Sequence, residues 1–192
     1  MPRARLLRAF VLLLALASSG CRTAGGGGGR AAHVSSLGSM HNVTEIDGVW
    51  TGSLPTPADL DLARRRGIAL AIDLTPAEEE PGYDVRSICA QEGISYLRLE
   101  VKKQGLPDET IDRVLSELRN PERKSVLLFC GDGSRAAMMF AIWRALDGDI
   151  GIERAIVEAR RAGMKPGVPE SFVRLQVARR AERSEEKEPA RT

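Results

Sequence analysis

The chain has 192 residues, with 28 Lys+Arg against 26 Asp+Glu, 43% hydrophobic and 4% aromatic residues, three cysteines and two histidines. That length holds one ordinary domain of roughly 100–200 residues, and the apolar share excludes wholesale disorder. Two histidines set apart from the cysteines leave a zinc site almost without ligands, and a formal charge of +2, evenly spread, argues against a nucleic-acid partner.

Arg3, Arg5 and Arg8 lead into the apolar run Ala9–Ala17, followed by Ser18-Ser19-Gly20-Cys21. A basic start, a short apolar stretch and small residues predict a secretory signal over residues 1–20, too short to stay as a membrane span. Cys21 behind small residues resembles the lipobox of bacterial lipoproteins, which implies lipidation at that cysteine, although Ser18 stands where Leu is usual. Plain cleavage after Ala15-Leu16-Ala17 is the alternative. The implied location is the bacterial cell envelope, lipid-anchored and facing the periplasm, with the membrane as a partner through the lipid; without lipidation the protein is secreted. Losing residues 1–20 removes three arginines and no acids, leaving 25 basic against 26 acidic residues, so the positive balance belongs to the signal. Residues 21–42, with the run Gly25–Gly29, read as a flexible tether. Residues 43–179 read as the folded domain, and residues 180–192, charged and carrying Pro189, as a disordered tail.

Within the domain, Gly48–Leu54 reads as a strand. Thr56 caps a helix that has Pro57 first and Asp59 three residues after the cap, and that ends near Gly67. Ile68–Leu74 is an apolar run typical of a strand buried on both faces. Tyr83–Glu92 is helical and closes at Gly93, and Ile94–Val101 alternates as a strand. Pro107-Asp108-Glu109 opens a helix with Ile111, Val114, Leu115 and Leu118 at helical spacing. Ser125–Phe129 is a second buried strand. Ser134–Leu146 is a helix whose unbroken apolar stretch Ala136–Trp143 makes it central. Ile152–Ala162 is a further helix, ended by Gly163. Strands separated by helices imply an α/β fold, a mainly parallel sheet flanked by helices.

Such sheets carry their sites at the carboxyl ends of strands, which directs attention to Cys130-Gly131-Asp132-Gly133-Ser134-Arg135. The cysteine follows a buried strand and precedes a helix whose free N–H groups favour a thiolate and bind an anion. Gly131 and Gly133 let the backbone curl so that several amides point inward. Arg135 can hold two oxygens of a tetrahedral anion.

From Ile46 to about Val177 the chain resembles the cysteine-dependent protein tyrosine and dual-specificity phosphatase superfamily, in the compact bacterial branch that includes the phosphatase-like domain of beta-lactamase-hydrolase-like proteins and domains related to the phosphatase fused to NAD kinase. The resemblance rests on Gly48-Val-Trp-Thr-Gly-Ser-Leu-Pro55, on Ala69–Leu74 followed by acidic Glu78–Glu80, on Tyr96-Leu-Arg-Leu, on Val126 through Ala136, and on Ala155-Ile-Val-Glu-Ala159 with Gly163-Met164. It implies a phosphatase/rhodanese-like fold and hydrolysis of a phosphate monoester, on a phosphoprotein or a small molecule, without a cofactor. Cys130 is then the nucleophile and Arg135 the phosphate clamp. Gly131, Asp132, Gly133, Ser134 and Arg135 supply the phosphate-binding amides, and Ser134 helps the thiolate leave. The general acid falls to Asp108, the only aspartate between the strand Ile94–Val101 and the next helix, with Asp73 as the alternative.

Three residues depart from the family pattern. Phe129 stands where a histidine is usual, four residues rather than five separate Cys130 from Arg135, and Asp132 puts a negative charge in an anion loop. The short spacing occurs in the compact branch and also resembles the loop of rhodanese sulfurtransferases. An anion-binding module without turnover is a further alternative. Cys89, in a helix, is a buried hydrophobe by default, but in an oxidising envelope a Cys89–Cys130 disulfide would silence the site.

Overall fold

The computed structural model describes residues 30–102, 105–122 and 125–187. The expected signal over residues 1–20, the expected lipidation site Cys21, the run Gly25–Gly29 and residues 188–192 lie outside the described residues. No described helix is long and apolar enough to cross a membrane.

Six strands, β1 (His33–Val34), β2 (Thr44–Ile46), β3 (Val49–Gly52), β4 (Leu70–Asp73), β5 (Ser95–Arg98) and β6 (Val126–Phe129), form one sheet in the order β1-β2-β3-β6-β4-β5. The first three are antiparallel neighbours, whereas β3, β6, β4 and β5 run parallel. Gly52 and Asp73 both pair with Phe129, so three strands end on the same rim, beside Cys130.

Alternation along the strands divides the core. Val126 and Leu128 of β6 and Leu70 and Ile72 of β4 face α3 (Asp108–Arg119), α4 (Ser134–Asp147), α5 (Gly151–Arg161) and α6 (Val168–Lys187). Leu127, Phe129 and Ala71 face α1 (Pro57–Arg65) and α2 (Val85–Gln91). Both faces of the central strands are covered, which is why they read as continuous apolar runs. The expected cap of α1 is present: Asp59 N donates to Thr56 Oγ1 at 3.3 Å, and Thr56 N donates back to Asp59 Oδ2 at 2.9 Å.

Two boundaries differ from the sequence reading. Residues 30–42, read from sequence as tether, are part of the folded domain. Leu37 is fully buried and Met40 nearly so, β1 pairs with β2, and Ser39 donates through N (2.7 Å) and Oγ (2.8 Å) to Asp59. Small polar residues surround those two apolar side chains, so composition alone reads as a tether. At the other end the expected tail is helical as far as Lys187, and Arg180, buried, donates to Asp112 Oδ1 at 2.9 Å.

Candidate active site

β6 ends at Phe129, and the alternation that turns Phe129 toward α1 and α2 turns Cys130, fully buried, toward α4. The residue standing where the family has histidine therefore packs on the opposite side of the sheet from the thiol. Gly133 begins α4 in the left-handed region at φ 88°, where a Cβ would lie 3.2 Å from Gly52 C and 3.3 Å from Ser53 N. Only glycine brings the loop that close to β3.

The amides of Arg135 and Ala136 donate to the Cys130 sulfur. They and the Arg135 charge favour a thiolate, but burial is the larger influence and raises the thiol above its ordinary pKa, and Asp132 pushes the same way. The thiol donates to Asp132 Oδ1 at 3.7 Å.

Asp132 is paired rather than free. Its Oδ1 accepts from Ser134 N at 2.9 Å and Ser134 Oγ at 2.6 Å, and Lys165 Nζ lies 3.6 Å from Oδ2. Burial acts most strongly and upward on this carboxyl, yet the Ser134 bonds and the Lys165 and Arg135 charges together hold its pKa below the ordinary value. Asn42 Nδ2 donates to the Asp132 carbonyl at 2.9 Å, tying the loop to the N-terminal segment.

Arg135 Nη1 donates to Val101 O at 2.9 Å, and Nη2 donates to the Glu79 carboxylate. Burial opposes the guanidinium charge most strongly, but Glu79, Cys130 and Asp132 together outweigh it and the pKa is raised. Glu79 ends the short 3-10 turn Ala77–Glu79 that follows β4. A Cβ at Gly131 would stand 2.8 Å from Glu79 Oε2, so the carboxylate lies directly against the loop. Sequence reading placed the acids Glu78–Glu80 only within a resemblance. The available signal was their position just past a strand adjacent to β6.

A cleft of about 410 Å³ opens over the loop, lined by Asp132, Arg135, Lys102 and Lys165 and by an apolar wall that includes Met138 and Phe172. Asp108 is not among its lining residues. It is the first residue of α3, and its Oδ1 lies 3.5 Å from Arg180 Nη2. Asp73 is buried at the end of β4, accepting from Thr75 N at 2.8 Å and Tyr96 Oη at 2.6 Å, and lines a separate cavity of about 360 Å³. The structure thus brings Cys130, Gly131, Asp132, Gly133, Ser134 and Arg135 together and sets both candidate acids apart from them. Cys89 and Cys130 are both free and belong to cores on opposite faces of the sheet, so the bridge considered from sequence is not formed. Burial, then Asp73, pushes the Cys89 thiol up to about 11. Among the described residues no group of three or more His, Cys, Asp or Glu side chains could hold a metal ion.

No protein-family model matches the sequence, and no curated protein does. Solved structures do. Tk-PTP in its active form is 23% identical with a TM-score of 0.62, over 72% of this chain and 97% of that one. The core catalytic domain of the PP-IP phosphatase SIW14 from S. cerevisiae, in complex with citrate, is 17% identical with a TM-score of 0.62, over 78% of this chain and 96% of that one. P. aeruginosa TpbA, as a Cys-to-Ser variant in complex with pTyr, is 19% identical with a TM-score of 0.56, over 77% and 96%. At these identities the likeness is one of fold. The chain has the α/β fold of the cysteine-dependent tyrosine and dual-specificity phosphatases, as its cysteine loop led us to expect.

Proposed function

We propose that this protein is a cysteine-dependent phosphatase acting on a phosphate monoester. One observation carries the reading: Cys130 lies under the first amides of α4, with Arg135 of the same loop at the mouth of the cleft. The thiolate attacks phosphorus, an S–P bond forms as the ester P–O bond breaks, and Arg135 and the loop amides take the equatorial oxygens. Water then attacks the phosphocysteine, releasing phosphate and the thiolate, which Ser134 stabilises. Both carboxylates that reach the loop are engaged, Glu79 with Arg135 and Asp132 with Ser134. An acidic alcohol, which leaves without a proton, is therefore the best leaving group. The apolar wall with Met138 and Phe172 suits its carbon skeleton. The signal-like start and Cys21 support a lipid-anchored envelope protein, which fatty-acid labelling of wild type against Cys21→Ser tests.

The direct test uses reduced protein starting at Arg22, with p-nitrophenyl phosphate as substrate. Turnover is expected, lost in Cys130→Ser and within about threefold of wild type in Asp108→Asn. Equal rates for wild type and Cys130→Ser would overturn the reading and make thiosulfate with cyanide the next substrate pair. The thiol proton held on Asp132 is the observation that favours an anion-binding module without turnover.

A further inference from the structure

We propose that Glu79, outside the cysteine loop, is a built-in occupant of the phosphoryl site, holding Arg135 until a doubly charged phosphoryl group displaces it. The inference rests on the phosphatase reading and names a residue that sets which anions that site accepts.

The resting loop is satisfied from within. Arg135 gives one nitrogen to Val101 O and the other to Glu79. The Glu79 carboxylate also lies over the Gly131 backbone, where a single added methyl carbon would meet it at 2.8 Å. Asp132 takes the Ser134 amide and hydroxyl. Arg135 and Lys165 are balanced by Glu79 and Asp132, so at rest the loop itself offers an incoming anion no excess positive charge, and only Lys102 on the cleft wall adds a unit. Removing Glu79 from Arg135 restores one unit. The turn that carries Glu79 has no buried side chain, so little packing holds the Glu79 carboxylate in place, while the adjacent Glu80–Arg98 pair keeps the segment itself against the domain.

Displacement makes charge the selection rule. A phosphate monoester carries about −1.5 to −2 at pH 7 and outcompetes a single carboxylate, whereas a sulfate ester or sulfonate of the same shape carries one charge and only matches it. Glu79 thus sets an affinity threshold that a doubly charged phosphoryl ligand clears and a singly charged sulfuryl ligand does not. The opposite reading, in which Glu79 fixes Arg135 in its binding pose, predicts the opposite sign.

The experiment measures binding of phenylphosphonate and benzenesulfonate at about pH 8 by calorimetry, with reduced wild-type protein, Glu79→Gln and Glu78→Gln. Wild type is expected to bind the phosphonate at least tenfold more tightly than the sulfonate. Glu79→Gln tightens both by about tenfold, and Glu78→Gln, its exposed neighbour, changes neither by more than about twofold. Unchanged or weaker phosphonate binding in Glu79→Gln, with melting temperature preserved, overturns the proposal and leaves the phosphatase reading intact if wild type turns over p-nitrophenyl phosphate. Equal gains in Glu79→Gln and Glu78→Gln overturn it too, because they reflect net charge rather than position. Phosphonate binding by none of the three proteins, with no turnover, overturns both readings.

Discussion

Helix α4 carries an arginine near each end, and each holds a glutamate, but the two pairs do different work. Arg144 and Glu158 are sealed, with side chains 2% and 5% exposed and Nε 2.9 Å from Oε2. Arg144 Nη2 also donates to Arg30 O at 2.5 Å, and Glu158 Oε1 accepts from Ala32 N at 3.3 Å, so this pair pins the N-terminal segment to the domain. Arg135 and Glu79 are 16% and 34% exposed and stand at a cleft. The sealed pair has every oxygen committed to the fold. The open pair joins the start of α4 to the short exposed turn after β4, and an incoming anion can replace one partner. A buried charge that loses its partner is costly, whereas a wetted one is not.

That contrast is open to attack by mutation, first where the effect is largest. Glu158→Ala strands the Arg144 guanidinium in the core and is expected to cost about 3–5 kcal/mol, lowering Tm by roughly 10 °C. Glu79→Ala should cost less than about 1 kcal/mol. Replacing Arg144 and Glu158 together by Leu should recover at least half of the loss. Chemical denaturation of the four proteins decides the matter. Equal losses for Glu158→Ala and Glu79→Ala would erase the distinction between the two ends of the helix.

A second change sharpens the open end alone. Arg135→Lys keeps the positive charge but loses the planar fork that reaches Val101 O and Glu79 together. We expect kcat/KM on p-nitrophenyl phosphate to fall by about 10²-fold while stability stays within ~1 kcal/mol. A comparable fall in stability would make Arg135 a structural residue like Arg144.

The same contrast explains what was legible in the sequence. Local rules were readable: the Thr56–Asp59 cap, the apolar runs of β4 and β6, and the Cys130–Arg135 loop each depend on neighbours in the chain. The pairs that tie the fold together were not. Glu79 meets Arg135 across 56 positions, and Arg30 meets Arg144 across 114. Nothing local distinguishes Glu79 from Glu78 and Glu80. Residues 30–42 read as tether because Leu37 and Met40 are isolated among small polar residues, and what holds them is Asp59, itself committed to a cap. α6 escaped because its buried stripe is partly polar, with Val173 followed by Gln176 and Arg180. Arg180 is kept inside by Asp112 and Asp108.

The smallest expected effect concerns the thiols. Cys89 and Cys130 lie on opposite faces of the sheet, and burial raises both thiols, Cys89 to about 11. The thiolate is the reactive form, and below a thiol's pKa its fraction rises tenfold per pH unit. Because both pKa values are raised, iodoacetamide should alkylate the native protein slowly, with a rate still climbing through about pH 9, and Cys130→Ser should slow the faster phase. A plateau below about pH 8 would mean that the α4 amides and Arg135 overcome burial and Asp132 at the sulfur. Asp132→Asn removes the carboxylate charge beside the thiol while an amide oxygen remains for the Ser134 bonds, so it should shift the whole profile to lower pH. Treating the native protein that starts at Arg22 with diamide should form no intramolecular bridge, because the sheet separates the two sulfurs. A loss of two mass units would show that β6 opens far enough for Cys130 to reach the other core, and the sheet could then no longer be what keeps the two thiols apart.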